Sequence, residues 1–262
     1  MTLPSKTQPL QKISDKKPRY TLIDILRGVS VILMVIYHAT WDLVYVFDVE
    51  VEWFTSPFGA GLQAYILWSF IIISGFSFSI GRKKLFRGLT VLLASLAVSL
   101  VTFFFMPGDM IKHGVLTLLG SAMIILALTD KLLSKIPYYI GIPLSLLLFF
   151  FFYDAQIGYA GFGEALRIPL PESLFANELT AYLGFPPKGF HSSDYVPLFP
   201  WVFLFIFGYR LFGLFRRFDL MKYLSGIRIP PLEWIGRHAL EIYLIHQPAV
   251  YGALFILFKY FL

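Results

Sequence analysis

The chain has 262 residues, of which 57% are hydrophobic, 18% aromatic and only 15% charged, and its mean hydropathy is +0.70. These polar side chains are too few to cover a water-soluble globule, so the composition excludes an ordinary soluble domain and predicts an integral membrane protein. Because the chain has no cysteine, it cannot form disulfides, thiolate metal sites or a cysteine nucleophile. Neither metal-ligand spacing nor a glycine-rich phosphate loop is present.

Seven apolar segments meet or approach the roughly twenty residues that a membrane-spanning helix needs. They lie at about 21–43, 59–80, 88–106, 113–130, 137–153, 196–215 and 234–258. Their long apolar runs lack the alternation of a membrane β-barrel, so we predict an all-α bundle of about seven transmembrane helices. The first twenty residues are polar and basic, with no cleavable signal. We expect residues 1–20 to form a cytoplasmic tail and residues 21–262 a single transmembrane domain.

Basic residues predict the orientation of this bundle. With a cytoplasmic N-terminus, fifteen Lys and Arg residues fall on the inner side and four on the outer side, which is the distribution of inserted membrane proteins. The C-terminus is then expected outside, at an inner or cell membrane. This topology and contact with anionic membrane lipid explain the net charge of +6. No nucleic-acid partner is expected, because no basic-aromatic platform or binding motif is present.

One long segment, at about 154–195, is expected on the outer side. It has no obvious secondary structure in the sequence, and loops of this length are usually functional or disordered. It contains several carboxylates, His191 and many aromatic residues. The aromatic content predicts that the loop folds back over the membrane face before Asp194-Tyr195 leads into the sixth span.

His38 is the strongest candidate for chemistry, because ionisable side chains are costly in lipid and mark functional sites by default. At ~1.5 Å per residue it lies about 24 Å along the first helix from Leu22, near the outer boundary. His38 and Asp42 are one turn apart, so the carboxylate could orient the imidazole as the base that acyl transfer requires. The alternative is an interfacial belt of aromatic and histidine side chains, and composition alone favours neither interpretation.

Other ionisable residues have structural interpretations that compete with functional ones. A helix-start ion pair between Asp24 and Arg27 is favoured over contact with a cytoplasmic anionic ligand. His246, placed at mid-membrane depth beside Pro248, fits a structural or a cavity-lining role equally. Arg237 has the spacing to pair with Glu241.

Three separated blocks resemble, in the same order, the catalytic domain of heparan-alpha-glucosaminide N-acetyltransferase. They are Arg27-Gly28 with Met34-Val35 and His38-Ala39-Thr40-Trp41-Asp42, the stretch Asp194 to Trp201, and the stretch Gly236 to Pro248. The likeness extends from about residue 19 to 258. The chain is more distantly similar to membrane O-acyltransferases, which also have Arg-Gly followed by His in the first helix.

The resemblance implies transfer of an acyl group, usually acetyl, from cytoplasmic acyl-CoA to a sugar amine or hydroxyl across the membrane. His38 matches the family's catalytic histidine, and larger members have around eleven spans against the seven expected here. We assign catalysis to His38 and Asp42. Direct attack on the acyl thioester and a relay through acyl-His38 both remain open.

The remaining site predictions concern the two substrates. Acceptor binding is assigned to Trp41, His113, Asp194 and Tyr195, and binding of the acetyl-CoA co-substrate to Arg27, Arg237 and His246. We expect His38, His113 and Asp194-Tyr195 to converge on one outer cavity, and a donor cavity to run between the first and seventh spans toward His38. The inner residues Arg82, Lys83, Lys84 and Arg87 could attract CoA phosphates, although a role as positive inner anchors is favoured.

Two functions of other classes stay open at this point. One is a small transporter or flippase whose intramembrane ionisable groups line a path, although no inverted repeat is visible. The other is a noncatalytic membrane partner of an envelope-assembly enzyme. Neither predicts thioester cleavage. The oligomeric state, a homodimer included, also stays open.

Overall fold

The computed structural model describes residues 19–261. Most of the basic tail expected at 1–20, with Lys6, Lys12, Lys16 and Lys17, therefore lies outside the described residues. The helices in this range are α1 (Thr21–Tyr45), α2 (Pro57–Ile80), α3 (Lys84–Phe105), α4 (Val115–Leu133), α5 (Tyr138–Phe151), α6 (Glu178–Leu183), α7 (Trp201–Arg217), α8 (Pro230–Arg237) and α9 (Ala239–Tyr260). The expected all-α membrane bundle is confirmed.

The number of spans differs from the expected seven. Six segments of the described chain are long and apolar enough to cross a membrane: α1 to α4, Tyr138–Ile157 and α9. The expected sixth span corresponds to α7, which has 17 residues and packs against α2 and α5. Arg210, Arg216 and Arg217 shorten its apolar stretch. About six helices of the described chain, rather than about seven, therefore have the length and apolarity of a span.

The main hydrophobic core lies between α2, α4, α5 and α7, where Phe78, Phe149 and Phe205 are fully buried. Glycines bring the backbones of α2 and α7 into contact. A Cβ atom on Gly75 would overlap the carbonyl oxygen of Phe205, and one on Gly208 would overlap that of Ile72. Small residues allow this close approach between membrane helices, where van der Waals packing drives association.

The last span is broken, whereas the sequence predicts one helix over 234–258. It consists of α8, a non-helical residue at His238 (φ −101°, ψ 25°) and α9. The N-terminal half of α1 packs on α8: a Cβ on Gly28 would overlap the carbonyl oxygen of Leu232, and one on Gly236 would overlap that of Asp24. The C-terminal half of α1 packs on α9. Therefore α8 and α9 pack one after the other along α1.

The outer loop contains more regular structure than its sequence suggested. An antiparallel hairpin pairs β1 (Tyr159–Phe162) with β2 (Leu166–Pro169), and α6 follows with a capping box at Asn177. Phe162 packs on Phe151 at the end of α5, with ring centroids 5.4 Å apart. The hairpin of this loop thus packs against the end of α5.

The close contact between α2 and α7 makes Gly75 sensitive to added volume. We expect Gly75→Ala to destabilise the protein by about 1–3 kcal/mol, because a backbone carbonyl cannot yield as a side chain does. Thermal unfolding of the purified protein in detergent measures the change.

Gly61→Ala is the matched control, since Gly61 lies in the same helix with nothing within 4 Å of an added Cβ. It should leave the melting temperature unchanged or raise it, because alanine favours helix. Equal destabilisation by both variants would contradict the packing argument.

Candidate functional site

The imidazoles of His38 and His246 meet where the C-terminal half of α1 faces α9. Their ring centroids are 4.9 Å apart with the planes at 85°. The sequence placed His246 at mid-membrane and His38 near the outer boundary, but the structure puts both at one level. The two histidines reach the same level because Gly28 and Gly236 pack against each other, and His38 and His246 each follow these glycines by ten residues.

Asp42 contacts Gln247 rather than His38. Gln247 Nε2 donates to Asp42 Oδ1 at 2.7 Å, and Asp42 is only 1% exposed. The Gln247 side chain also lies beside the His38 ring. The expected direct contact between carboxylate and imidazole is therefore replaced by an amide that faces both. Sequence reasoning missed Gln247, although a polar amide next to His246 in an apolar helix is a usable signal.

A second set of contacts leads from His246 to the loop before α7. His246 Nδ1 lies 2.6 Å from the backbone oxygen of Tyr243, so this nitrogen carries the hydrogen and Nε2 is the acceptor in the neutral ring. The Tyr243 hydroxyl donates to Asp194 Oδ2 at 3.2 Å. Tyr243, also missed from the sequence, thereby links Asp194 to the histidine pair.

The loop that contains His113 folds back against the last turn of α3. Its Ile111 N donates to Thr102 Oγ1 at 3.1 Å. The amide of Val196 donates to the carbonyl oxygen of His113 at 3.0 Å, which ties this loop to the Asp194 segment. Burial lowers the pKa of His113. Its ring contacts Tyr182, at 5.5 Å between centroids.

The other acceptor candidates contact different parts of the structure. The Tyr195 hydroxyl donates to the carbonyl oxygen of Ala181 at 2.6 Å, so it holds α6 in place. The Trp41 ring packs on Tyr45 at 5.2 Å. Of the four residues assigned to the acceptor, Asp194 is the one that the described contacts connect to His246 and His38.

The arginines assigned to the donor have structural partners. Arg27 pairs with Asp24 at 3.2 Å and donates to Ser77 Oγ at 2.7 Å and to the Gly236 oxygen at 3.2 Å. Thus it ties α1 to α2 and α8, which supports the helix-start ion pair. Arg237 Nε donates to the Glu233 backbone oxygen at 3.1 Å. Its spacing from Glu241 also permits a pair with that carboxylate. The tight α1–α8 contact leaves no room for a donor at this level in this conformation.

Unpaired polar atoms single out the surroundings of His38. Among residues 19–261, six buried side-chain nitrogen or oxygen atoms lack a hydrogen-bond partner, and three of them are Asp42 Oδ2, His246 Nε2 and Gln247 Oε1. Buried polar groups are almost always paired, and each exception asks for an explanation. Three of the six therefore lie around one histidine. No group of three metal-ligating side chains occurs in this range.

Comparison with known families gives one match. The family model described as "Heparan-alpha-glucosaminide N-acetyltransferase, catalytic" matches residues 19–248. Comparison with curated proteins and with solved structures gives no match. The matched range includes all nine predicted site residues. The match confirms the resemblance and indicates a membrane acetyltransferase-like function.

We expect the stability of this region to depend on pH through Asp194. Burial raises its pKa above the usual 3.8, against hydrogen bonds from Tyr243 and the Val115 amide that lower it. Because the folded-state pKa of Asp194 is raised, its protonated carboxyl favours the folded protein. This contribution to stability is complete below pH 3.8 and is lost as the pH rises through the folded-state pKa. We expect Asp194→Asn, which keeps an acceptor for Tyr243, to flatten the fall of melting temperature above pH 3.8.

Asp154→Asn is the control, because Asp154 is an exposed carboxylate of the outer loop. Its melting temperature should follow the wild-type pH curve. If Asp194→Asn also follows that curve, the protonation of Asp194 does not contribute to stability.

Proposed function

Because the chain belongs to the family of heparan-alpha-glucosaminide N-acetyltransferase catalytic domains, we propose that it transfers an acetyl or other acyl group from acyl-CoA to a sugar amine or hydroxyl. The donor is cytoplasmic and the acceptor extracytoplasmic, with the N-terminus inside. The observation that carries this proposal is the cluster of His38, His246, Asp42 and Gln247 within the matched range.

His38 acts as the general base. As the acceptor oxygen or nitrogen attacks the thioester carbonyl carbon, its proton passes to the imidazole. The tetrahedral intermediate then breaks its carbon–sulfur bond, and the CoA thiolate leaves and takes the proton back from the imidazolium. In the kinetic variant a His38 ring nitrogen attacks the thioester and displaces the CoA thiolate; the acceptor then attacks acyl-His38, the acyl–nitrogen bond breaks, and the acceptor proton neutralises the thiolate. In both variants the ring must be held in one orientation.

Gln247 and Asp42 provide that orientation. The Asp42 carboxylate accepts from Gln247 Nε2, which leaves Oε1 of the amide, buried and unpaired, to accept from the His38 ring. Asp42 then acts through Gln247 and is a positioning residue, like the third member of a nucleophile–base–orienter set. The deep burial of Asp42 strengthens this contact, since a low dielectric weakens electrostatic interactions less than water does.

His246 and Asp194 are placed to serve the acceptor side. His246 Nε2 is buried and unpaired beside His38, so it can accept a hydrogen bond from the substrate. Asp194, through Tyr243, stabilises the α9 turn from which His246 extends. The acceptor therefore binds on the side of His38 that faces His246 and Asp194.

Substitution of His38 tests the proposal directly. His38→Ala is expected to insert and fold normally while acyl transfer falls ~10²–10⁴-fold, the usual cost of losing a general base. The assay follows labelled acetyl groups from acetyl-CoA to an amino sugar with purified protein. His191→Ala, at an exposed histidine of the outer loop, should keep full activity.

Full transfer by a normally inserted His38→Ala variant would refute this role. An absence of thioester cleavage by the wild type with every sugar acceptor would favour a transporter or a noncatalytic partner.

A double-mutant cycle tests whether Asp42 acts through Gln247. Asp42→Asn and Gln247→Leu should each lower the transfer rate, and the effects should fall short of additivity by about 0.5–3 kcal/mol, because contacting residues share one interaction. The same cycle with Gln63→Leu, at an exposed glutamine of α2, should be additive. Additive losses at Asp42 and Gln247 would show that the two residues act separately.

A further inference from the structure

A cavity of about 640 Å³ lies at the end of the bundle away from the histidine pair. Its walls come from the ends of α2 and α4, the starts of α3 and α5, and the last turns of α7. His38 and His246 lie instead on α1 and α9, which do not line it. Five charged residues do: Lys84, Asp130, Arg210, Arg216 and Arg217. The cavity is therefore separate from the site proposed for acyl transfer.

The single carboxylate among these residues is already engaged. Asp130 Oδ2 pairs with Lys84 Nζ at 3.0 Å, and its Oδ1 accepts from the Tyr209 hydroxyl at 2.7 Å. Asp130 thus balances one of the four cations. The three arginines of α7 supply an excess of positive charge on the remaining wall.

Arg210 is the innermost of these arginines and is only 7% exposed. Its Nη2 donates a hydrogen bond to the carbonyl oxygen of Leu133. Its Nε is buried without a hydrogen-bond partner in the described part of the chain. Gly141 provides the space, because a Cβ there would lie 2.9 Å from Arg210 Nε. A buried guanidinium whose hydrogens are not all engaged is costly, and an anion in the cavity would remove much of that cost.

Arg216 and Arg217 extend the cation wall toward the rim. Arg217 is seven residues after Arg210, so both lie on one face of α7 two turns apart. Both rim residues are exposed, which leaves them free to engage an incoming ligand. Arginine side chains bind phosphate oxygens bidentately.

The rest of the lining is apolar in part, with Ile136, Pro137 and Phe212. We propose that this cavity binds the phosphate of an anionic amphiphile: Arg210, Arg216 and Arg217 hold the phosphate and the apolar wall takes the adjoining hydrocarbon. Two sources share this chemistry. One is the headgroup of an anionic phospholipid at this membrane border, and the other is a soluble organic phosphate such as CoA.

Native mass spectrometry of the purified protein tests the proposal with added phosphatidylglycerol or phosphatidylcholine of the same chain length. Wild type should retain phosphatidylglycerol at least tenfold better than phosphatidylcholine. Arg216→Gln with Arg217→Gln should weaken that retention about tenfold or more, since each basic residue contributes to attraction of an anionic headgroup. Both positions are exposed, so this double variant should fold.

Lys131→Gln with Lys135→Gln is the matched control. It removes the same charge at the same end of the bundle, from residues that do not line the cavity, and should change retention less than twofold. Equal loss in both double variants would overturn the proposal in favour of general surface attraction. So would equal retention of the two lipids together with no binding of soluble phosphate.

The soluble source is tested by adding pyrophosphate or CoA in place of lipid. Binding of CoA that the arginine variant loses, without any lipid preference, assigns the phosphate site to the soluble anion. Selective lipid retention that millimolar CoA does not displace assigns it to the headgroup. Because the readout is binding, neither result depends on acyl transfer.

Discussion

Polar side chains inside a bilayer must find partners within the protein, since no water is available there to replace them. For α1 these partners come from α2, α8 and α9. The backbone contact of Gly28 and Gly236 with their neighbours sets the position of α8 along α1. It thereby sets which residues of α9 face the C-terminal half of α1. A shift of one residue would turn the α9 side chains by about 100° and separate Gln247 from Asp42.

That register concentrates several polar groups in a small volume. Asp42, Gln247, His38 and His246 lie together in a part of the bundle surrounded by apolar helices. In a low dielectric, a polar side chain whose hydrogen bonds are all formed is held rigidly. A polar side chain that lacks a partner there costs folding free energy. The unpaired atoms of Asp42, His246 and Gln247 therefore oppose stability.

The bundle also separates two kinds of chemistry. Histidine, carboxylate and amide groups meet between α1 and α9, where we propose the proton transfer of the acyl-transfer step. The arginines of α7 gather at a different cavity, where fixed positive charge can hold an anion but cannot exchange protons near neutral pH. The core of α2, α4, α5 and α7, closed by fully buried aromatic residues, gives the bundle a rigid frame between them.

The sequence by itself determined the membrane class and most of the helices, and it made His38 the first candidate for catalysis, because hydropathy and the cost of an ionisable group in lipid are local properties. It also placed His38 and Asp42 on one helical face. It could not determine that Gln247 takes the hydrogen bond of Asp42, that α8 and α9 divide the last span, or that three arginines of α7 share a cavity with Lys84. Those features depend on how helices distant in the chain approach each other, which glycine contacts and packing decide only once the bundle has formed.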